Sequence, residues 1–381
     1  MRVQGQAYSS GQSGDDRLKA GTGFVRGRQA LPELAADAVR LALDAAGLQI
    51  ANSVLLFLTE EFAENPLPAI RAAAVAASTT QVTGCSATGI FTEQDWALDT
   101  PAAAALVLGE GVALQHLPDP GADQLLLTLT APNAVNTTWL ELPGRRFGGV
   151  SGDVTGQGPF SVWENGKGAV RGYCEVALQG VTGAVSAAHG FKLLAQAQQV
   201  SSVRGYDVKT LSASPAFTGL LQLLQKCGAV EDEGLPYHRL MAVFADSREQ
   251  LELGHYKLAS LVSGNPEDGS ITLARQLAEG QWLAWGLRDA EAALINLGEC
   301  TETASALLPG PPLFGLLFSC MGRGPYFYGG VDRDIELLKQ YYPSMPLIGF
   351  YGNGEIAPMS GSNELLQYSA VLGLFASEGQ V

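Results

Sequence analysis

The chain has 381 residues, of which 46% are hydrophobic and 16% charged, with a net charge of −15. That length and composition exclude a disordered chain and predict two domains. With 38 acidic against 23 basic residues there is no basic stripe to neutralise phosphates, and an anionic membrane surface would repel the chain, so neither nucleic acid nor membrane is an expected partner.

In chain order, Leu34, Ala38, Leu41 and Ala45 recur at helical spacing and predict a helix over 31–47 that stops at Gly47. The apolar run Val54 to Thr59 reads as a buried strand, the Ala-rich stretch Pro68 to Ser78 as a helix, and Gln81 to Thr83 as a second strand followed by a loop, Gly84 to Gly89. The apolar run Pro101 to Leu108 ends at Gly109-Glu110 and is too short to span a membrane. From about 100 to 212 the pattern changes to strands and turns. Leu125 to Thr130, Gly172 to Leu178 and Val200 to Val203 are strands, and Asn165-Gly166 is a hairpin turn between Val162-Trp163 and Ala169-Val170. Ser214 and Pro215, as N-cap and first helical residue, open a helix through Leu224. The polar stretch Gly228 to Leu235, with Glu231, Asp232 and Glu233, is the predicted boundary between a first domain over 1–228 and a second over 229–381. Beyond it, strands are predicted at Leu240 to Phe244, Lys257 to Val262 and Ile271 to Leu273, and a helix over Ala290 to Leu297.

An internal repeat organises the chain. Leu55-Leu56-Phe57 reappears as Leu316-Leu317-Phe318, and each is followed by a loop, a helix, a short strand and a G-x-x-x-x-G loop, at Gly84 to Gly89 and at Gly349 to Gly354. The expected fold is α/β: two pseudo-symmetric related domains with mixed sheets flanked by helices, their glycine loops facing one cleft. The five cysteines, Cys85, Cys174, Cys227, Cys300 and Cys320, are odd in number and widely spaced. They read as reduced thiols, and with a start that lacks an apolar signal region they predict a cytoplasmic protein.

The densest chemistry lies in Phe318-Ser319-Cys320-Met321-Gly322-Arg323-Gly324 and in Pro346-Leu347-Ile348-Gly349-Phe350-Tyr351-Gly352-Asn353-Gly354-Glu355-Ile356-Ala357-Pro358. Arg323 between two glycines predicts an exposed guanidinium able to hold a carboxylate, or a surface ion pair with Asp332 or Asp334. Glu355, between Gly354 and Ile356, predicts a partly buried carboxylate that needs a partner, a ligand ammonium or a backbone N–H. The glycine loop lacks the Lys-Ser/Thr of a phosphate loop, and Glu355 would repel phosphate. Cys320 reads either as a thiolate favoured by a nearby cation or as a small buried hydrophobe, and Cys85 likewise. His116, His189, His238 and His255 are too far apart for zinc-type spacing, so no metal site is expected, and there is no Ser-His-Asp order or nucleophile elbow.

These two strings resemble the signature of the FIST C-terminal domain. Val82-Thr83-Gly84-Cys85-Ser86-Ala87-Thr88-Gly89, the stretch from Phe147-Gly148-Gly149 to Leu178, and Ser214-Pro215-Ala216 look like the FIST N-terminal domain. The resemblance covers roughly residues 30 to 378 and points to the bacterial stand-alone sensor type. One departure stands out: where the family often has Leu-His, this chain has Leu365-Leu366-Gln367-Tyr368-Ser369, so any role of that histidine is absent. The resemblance implies a sensory module in signal transduction that binds a small molecule such as an amino acid or carboxylate. It also implies a signalling partner such as a histidine kinase or cyclic-nucleotide enzyme. No cofactor is expected from the residues, but some members are implicated in haem-based nitric oxide sensing, which makes haem the alternative. A cysteine-dependent enzyme using Cys320 is the second alternative; otherwise the chain is not read as an enzyme. The expected ligand site comprises Cys320, Arg323, Gly324, Tyr351, Gly352, Asn353, Gly354 and Glu355. Arg323 would hold a carboxylate and Glu355 an ammonium, with Cys85, Ser86 and Thr88 closing the far side.

Overall fold

The structure is a computed structural model that describes residues 18–165, 169–229, 235–359 and 361–378. The chain opens with strand β1 (Ala20–Arg26), helix α1 (Pro32–Ala46), β2 (Ser53–Thr59), α2 (Leu67–Ala77), β3 (Val82–Ala87), the hairpin β4 (Gly89–Thr92) and β5 (Trp96–Leu98), and β6 (Ala102–Leu108). Pro32 occupies the first turn of α1, where its missing N–H is no loss, and Gly47 closes the helix at φ 63°. A second unit follows with β7 (Ala113–Gln115), β8 (Leu125–Thr130), the one-turn helix α3 (Thr137–Leu140), β9 (Arg145–Val150), the hairpin β10 (Val162–Glu164) and β11 (Ala169–Arg171), and β12 (Tyr173–Gln179). The turn of that hairpin at Gly166 lies outside the described residues.

The third unit begins with β13 (Val181–His189) and is interrupted at once by β14 (Phe191–Leu193), β15 (Gln198–Arg204), β16 (Asp207–Leu211), β17 (Ser214–Pro215), α4 (Ala216–Lys226), β18 (Leu240–Ala245), α5 (Arg248–Glu252), β19 (Lys257–Gly264), β20 (Ile271–Leu273) and β21 (Trp282–Arg288). It resumes with α6 (Ala290–Ala306), β22 (Phe314–Cys320), α7 (Arg333–Tyr341), β23 (Leu347–Gly352), the hairpin β24 (Gly354–Met359) and β25 (Ser362–Leu366), and β26 (Ser369–Ser377).

The repeat read from the sequence is present: strand, helix and parallel strand follow one another in both copies, with β2 beside β3 and β22 beside β23. It also extends to a third copy, β8 beside β9. The three sheets run β1-β6-β2-β3-β10-β11, β7-β12-β8-β9-β24-β25 and β13-β26-β22-β23-β4-β5. Each has a single parallel pair at its centre, and each takes its last two strands as a hairpin from another unit, which interlocks the three. Their inner faces share one core, where Phe57 of β2 and Phe350 of β23 have ring centroids 5.0 Å apart and Phe147 of β9 lies 6.1 Å from Phe318 of β22.

The G-x-x-x-x-G segments are not loops, which corrects the sequence reading. Gly84 and Gly349 lie inside β3 and β23, and Gly148 holds the same place in β9. A Cβ at these three positions would stand 1.7 Å from the Leu56 carbonyl oxygen, 1.8 Å from that of Leu317 and 1.9 Å from that of Thr128. The glycines let the parallel strands approach one another and do not cradle a ligand.

The interruption in the third unit is a barrel. Strands β15, β16, β20, β19, β18 and β21 pair antiparallel in that order, and β21 closes on β15. Helix α4 covers its core, with Leu220 and Leu224 packed beside Val200, Val208, Leu240, Ala242 and Leu283. The expected domain boundary at 228/229 therefore falls inside one packed unit, and Glu231, Asp232 and Glu233 lie outside the described residues. Pro215, not Ser214, is the N-cap of α4, because Ser214 pairs with Leu211. Helix α6 runs nine residues past the predicted Leu297. Thr301 and Thr303, poor helix formers by propensity, turn their hydroxyls onto the carbonyls four residues back, at 2.7 and 2.8 Å.

Candidate functional site

The segment between β22 and α7 carries the Cys320–Gly324 string. Arg323 is 1% exposed, so the predicted reachable guanidinium is corrected. Its Nε donates to Asp334 at 2.7 Å and Nη2 at 3.1 Å, while Nη1 and Nη2 also donate to the carbonyls of Ala188 (3.0 Å) and Ala293 (2.9 Å). The ion pair with Asp334 anticipated as the alternative is thus formed, but buried. It clamps β13, α6 and α7 together. The flanking glycines do not free the arginine. A side chain at Gly324 would strike the Tyr351 ring at 2.9 Å, and one at Gly322 would strike Tyr368 at 2.9 Å. Tyr351 is fully buried and donates its hydroxyl to Asp332, the N-cap of α7. Burial, with the neighbouring Asp334 carboxylate, pushes Asp332 up to about 6.

Behind this clamp lies a second buried polar group. Glu355 is fully enclosed; one oxygen accepts the Ser369 N–H at 3.3 Å, and Oε1 has no partner among the described residues. Burial holds its carboxyl well above the usual carboxylate range. Burial together with the nearby Glu355 pushes the Cys320 thiol up to about 12. His189 on β13 meets Ser369 Oγ through Nδ1 at 3.0 Å and stacks on Tyr256 of the barrel, ring centroids 4.4 Å apart. Burial first, then Arg323, draws its imidazole down to about 4. A neutral thiol against a buried carboxyl is poor nucleophile chemistry, since the thiolate is the reactive form. Of the other histidines, His116, His238 and His255 are exposed.

The remaining predicted site residues divide. Gly352 lies against the Val150 carbonyl, 2.2 Å from where its Cβ would be, and the Asn353 N–H donates to the same oxygen at 3.0 Å. Thr88 of the first unit and Asn353 of the third, at equivalent places, do come together: Thr88 Oγ1 and Asn353 Oδ1 both flank Gly152 of the second unit. Gly354, the first residue of β24, and Ser86, inside β3, are buried, Ser86 Oγ accepting from the Ser161 N–H at 3.1 Å. Cys85 sits in the common apolar core, where burial pushes its thiol far up. Among the described residues, most of these side chains are buried in the packed framework.

The open space lies one layer out, where the barrel meets the third unit. A cleft of about 570 Å3 is lined by Arg239, Arg288, Asp289, Ala290, Met321, Gly322, Tyr326 and Phe327. Arg288, at the end of β21, lies over the rings of Tyr368 (4.5 Å) and Phe327 (5.1 Å) and donates to the Gly322 carbonyl. Stacking fixes its guanidinium plane and leaves it charged and partly buried. Asp289 caps α6, accepting the Ala292 N–H at 2.8 Å. The Tyr326 hydroxyl donates to Asp99 at 2.6 Å, tying the rim to the first unit. Sequence reasoning missed Arg288 and Asp289, although an Asp just before a helix of small residues is an N-cap signal. Tyr368, noted as the departure from the family pattern, turns out to be the ring on which Arg288 rests. A second cleft, of about 370 Å3, opens at another seam of the barrel, beside Tyr256, Lys257 and Arg275, where Lys257 pairs with Glu364 of β25 at 2.9 Å.

Among the described residues no helix is long and apolar enough to cross a membrane. Comparison with known proteins matches residues 216–358 to the FIST C domain. An uncharacterized protein of Mycobacterium tuberculosis is 28% identical over 239 residues, 62% of each chain, so the match spans less than two thirds of that relative. An uncharacterized protein of Mycobacterium bovis is 27% identical over 266 residues, 69% of this chain and 67% of that one. Human F-box only protein 22 is 39% identical over 72 residues, 18% of this chain and 16% of its own. The barrel from α4 onward, Arg323 with Asp334, and strands β22 and β23 lie within the stretch that matches the FIST C domain, a domain of the sensory and signal-transduction kind.

Proposed function

We propose that the chain is a small-ligand sensor that takes a carboxylate or amino acid in the cleft between the barrel and the third unit. One observation carries this reading. Arg288 and Arg239 converge on an open cleft whose floor is the Met321-Gly322 backbone, within the string that marks the FIST C domain. Arg288 and Arg239 supply donors for a carboxylate, Asp289 an acceptor for an ammonium, and Met321 and Phe327 an apolar wall. This moves the carboxylate-binding role from Arg323 to Arg288. Barrel and core meet here and at the His189–Tyr256 stack, so a ligand held by both sides would favour one relative placement of the two, which is a transmissible state.

The test is a thermal-shift screen of small carboxylates and amino acids against the purified protein. A hit at 100 times its Kd should stabilise by about 2.7 kcal/mol. In Arg288→Ala its affinity should fall by roughly tenfold to a hundredfold, with the unliganded melting temperature little changed, since charged hydrogen bonds contribute about 1.5–3 kcal/mol each. Equal affinity in Arg288→Ala would remove the cleft from the account. A Soret band in the purified protein would replace the carboxylate reading with haem.

A further inference from the structure

We infer that the outer groove between α6 and α7 is a docking site for a basic amphipathic helix of a partner protein. The groove encloses about 490 Å3 on the face of the third unit away from the common core. An open apolar strip runs along it: Ile295 is 64% exposed, with Leu294 and Leu337 beside it. Its rim is acidic. Glu291, Glu299, Glu302 and Glu336 line it against one cation, Arg333, already paired with Glu291 at 2.6 Å.

The charge pattern selects the occupant. An apolar strip alone would accept many partners. Three glutamates beyond the one that Arg333 holds repel an acidic segment and favour lysines or arginines flanking an apolar stripe. The dimensions agree: Glu291 to Glu302 spans three turns of α6, about 16 Å, enough for a helix whose apolar anchors at i, i+3, i+4 and i+7 span about 11 Å. The groove and the ligand cleft share helix α6. Helix α6 starts at Ala290 in the cleft and presents Glu291 in the groove one residue later, so a shift of α6 is felt at both. The inference does not depend on the ligand, and its test needs none.

The probe is a synthetic 18-residue peptide of leucine and lysine at amphipathic helical spacing, with a leucine–glutamate peptide of the same pattern as control. Binding to the full chain is read by fluorescence anisotropy at physiological salt. The lysine peptide should bind and the glutamate peptide should not. Glu299→Lys with Glu336→Lys should weaken binding by at least about tenfold. Ile295→Asp should do the same, although it adds negative charge, because it removes the apolar anchor. The pair Glu33→Lys and Asp44→Lys on exposed α1 should leave binding unchanged. An equal loss with the α1 pair would show undirected charge attraction, and unchanged binding in Ile295→Asp would show that the groove is not the site; either overturns the inference, as does failure of the lysine peptide to bind.

Discussion

Gly349→Ala should yield no cooperatively folded protein. The methyl would have to occupy a point 1.8 Å from the Leu317 carbonyl oxygen and 2.5 Å from the Phe91 ring. Neither can withdraw. Leu317 is in β22, the parallel partner of β23, and Phe91 is in β4, the hairpin that the first unit lends to this sheet. Separating β22 from β23 would open the centre of the sheet on which Phe318 and Phe350 pack, a loss of more than about 4 kcal/mol. Gly84→Ala should behave alike, at 1.7 Å from the Leu56 oxygen. The control is Gly219→Ala in α4, where nothing stands within 4 Å. It should be neutral or stabilise by up to about 1 kcal/mol, because alanine is the better helix former. Circular dichroism melting of the three variants checks this. A cooperative transition for Gly349→Ala within about 1 kcal/mol of the parent would mean that the strands are not packed as described.

Arg323→Ala should destabilise by about 3–5 kcal/mol, because it strands the buried Asp334 carboxylate and frees two buried carbonyls. Asp334→Ala should cost about as much, since it leaves the guanidinium unpaired and also removes the acceptor of the Tyr328 hydroxyl. The double change Arg323→Met with Asp334→Leu should recover part of the loss, as apolar replacement of a whole buried pair is often tolerated. Recovery should be incomplete, because the carbonyls of Ala188 and Ala293 still lose their donor. Urea unfolding midpoints measure all three. Single variants within about 1 kcal/mol of the parent would show that the clamp does not hold the third unit together.

Both results bear on how far the sequence could be read. The two long copies of the repeat were legible because Leu55-Leu56-Phe57 and Leu316-Leu317-Phe318 are unbroken apolar runs, each followed by a recognisable helix. The third copy was not. Its central strand reads Leu127-Thr128-Leu129, its crossover helix is a single turn, and no helix precedes it, so the pattern that marks the others is diluted. Glycines misled twice, in opposite senses. At Gly84 and Gly349 they signalled a turn where the chain needs room for a neighbouring carbonyl. Around Arg323 they signalled exposure where the room is filled by Tyr351 and Tyr368. In both cases the deciding contact comes from residues distant in sequence, and local spacing carries no trace of it. Burial of Glu355 was legible from Ile356 beside it. The cleft was not, because it is made by a barrel inserted between β13 and α6, and Arg288 reaches Gly322 only once that barrel has folded.

The central claim is that the ligand sits between the barrel and the third unit. Hydrogen exchange with and without a saturating carboxylate hit tests it most directly. Exchange should slow at residues 288–291 and 321–324, on the two sides of one cleft, with little change in β2 and β3 of the first unit. Protection confined to the seam beside Lys257 and Glu364, or none in the barrel and the third unit, would contradict it.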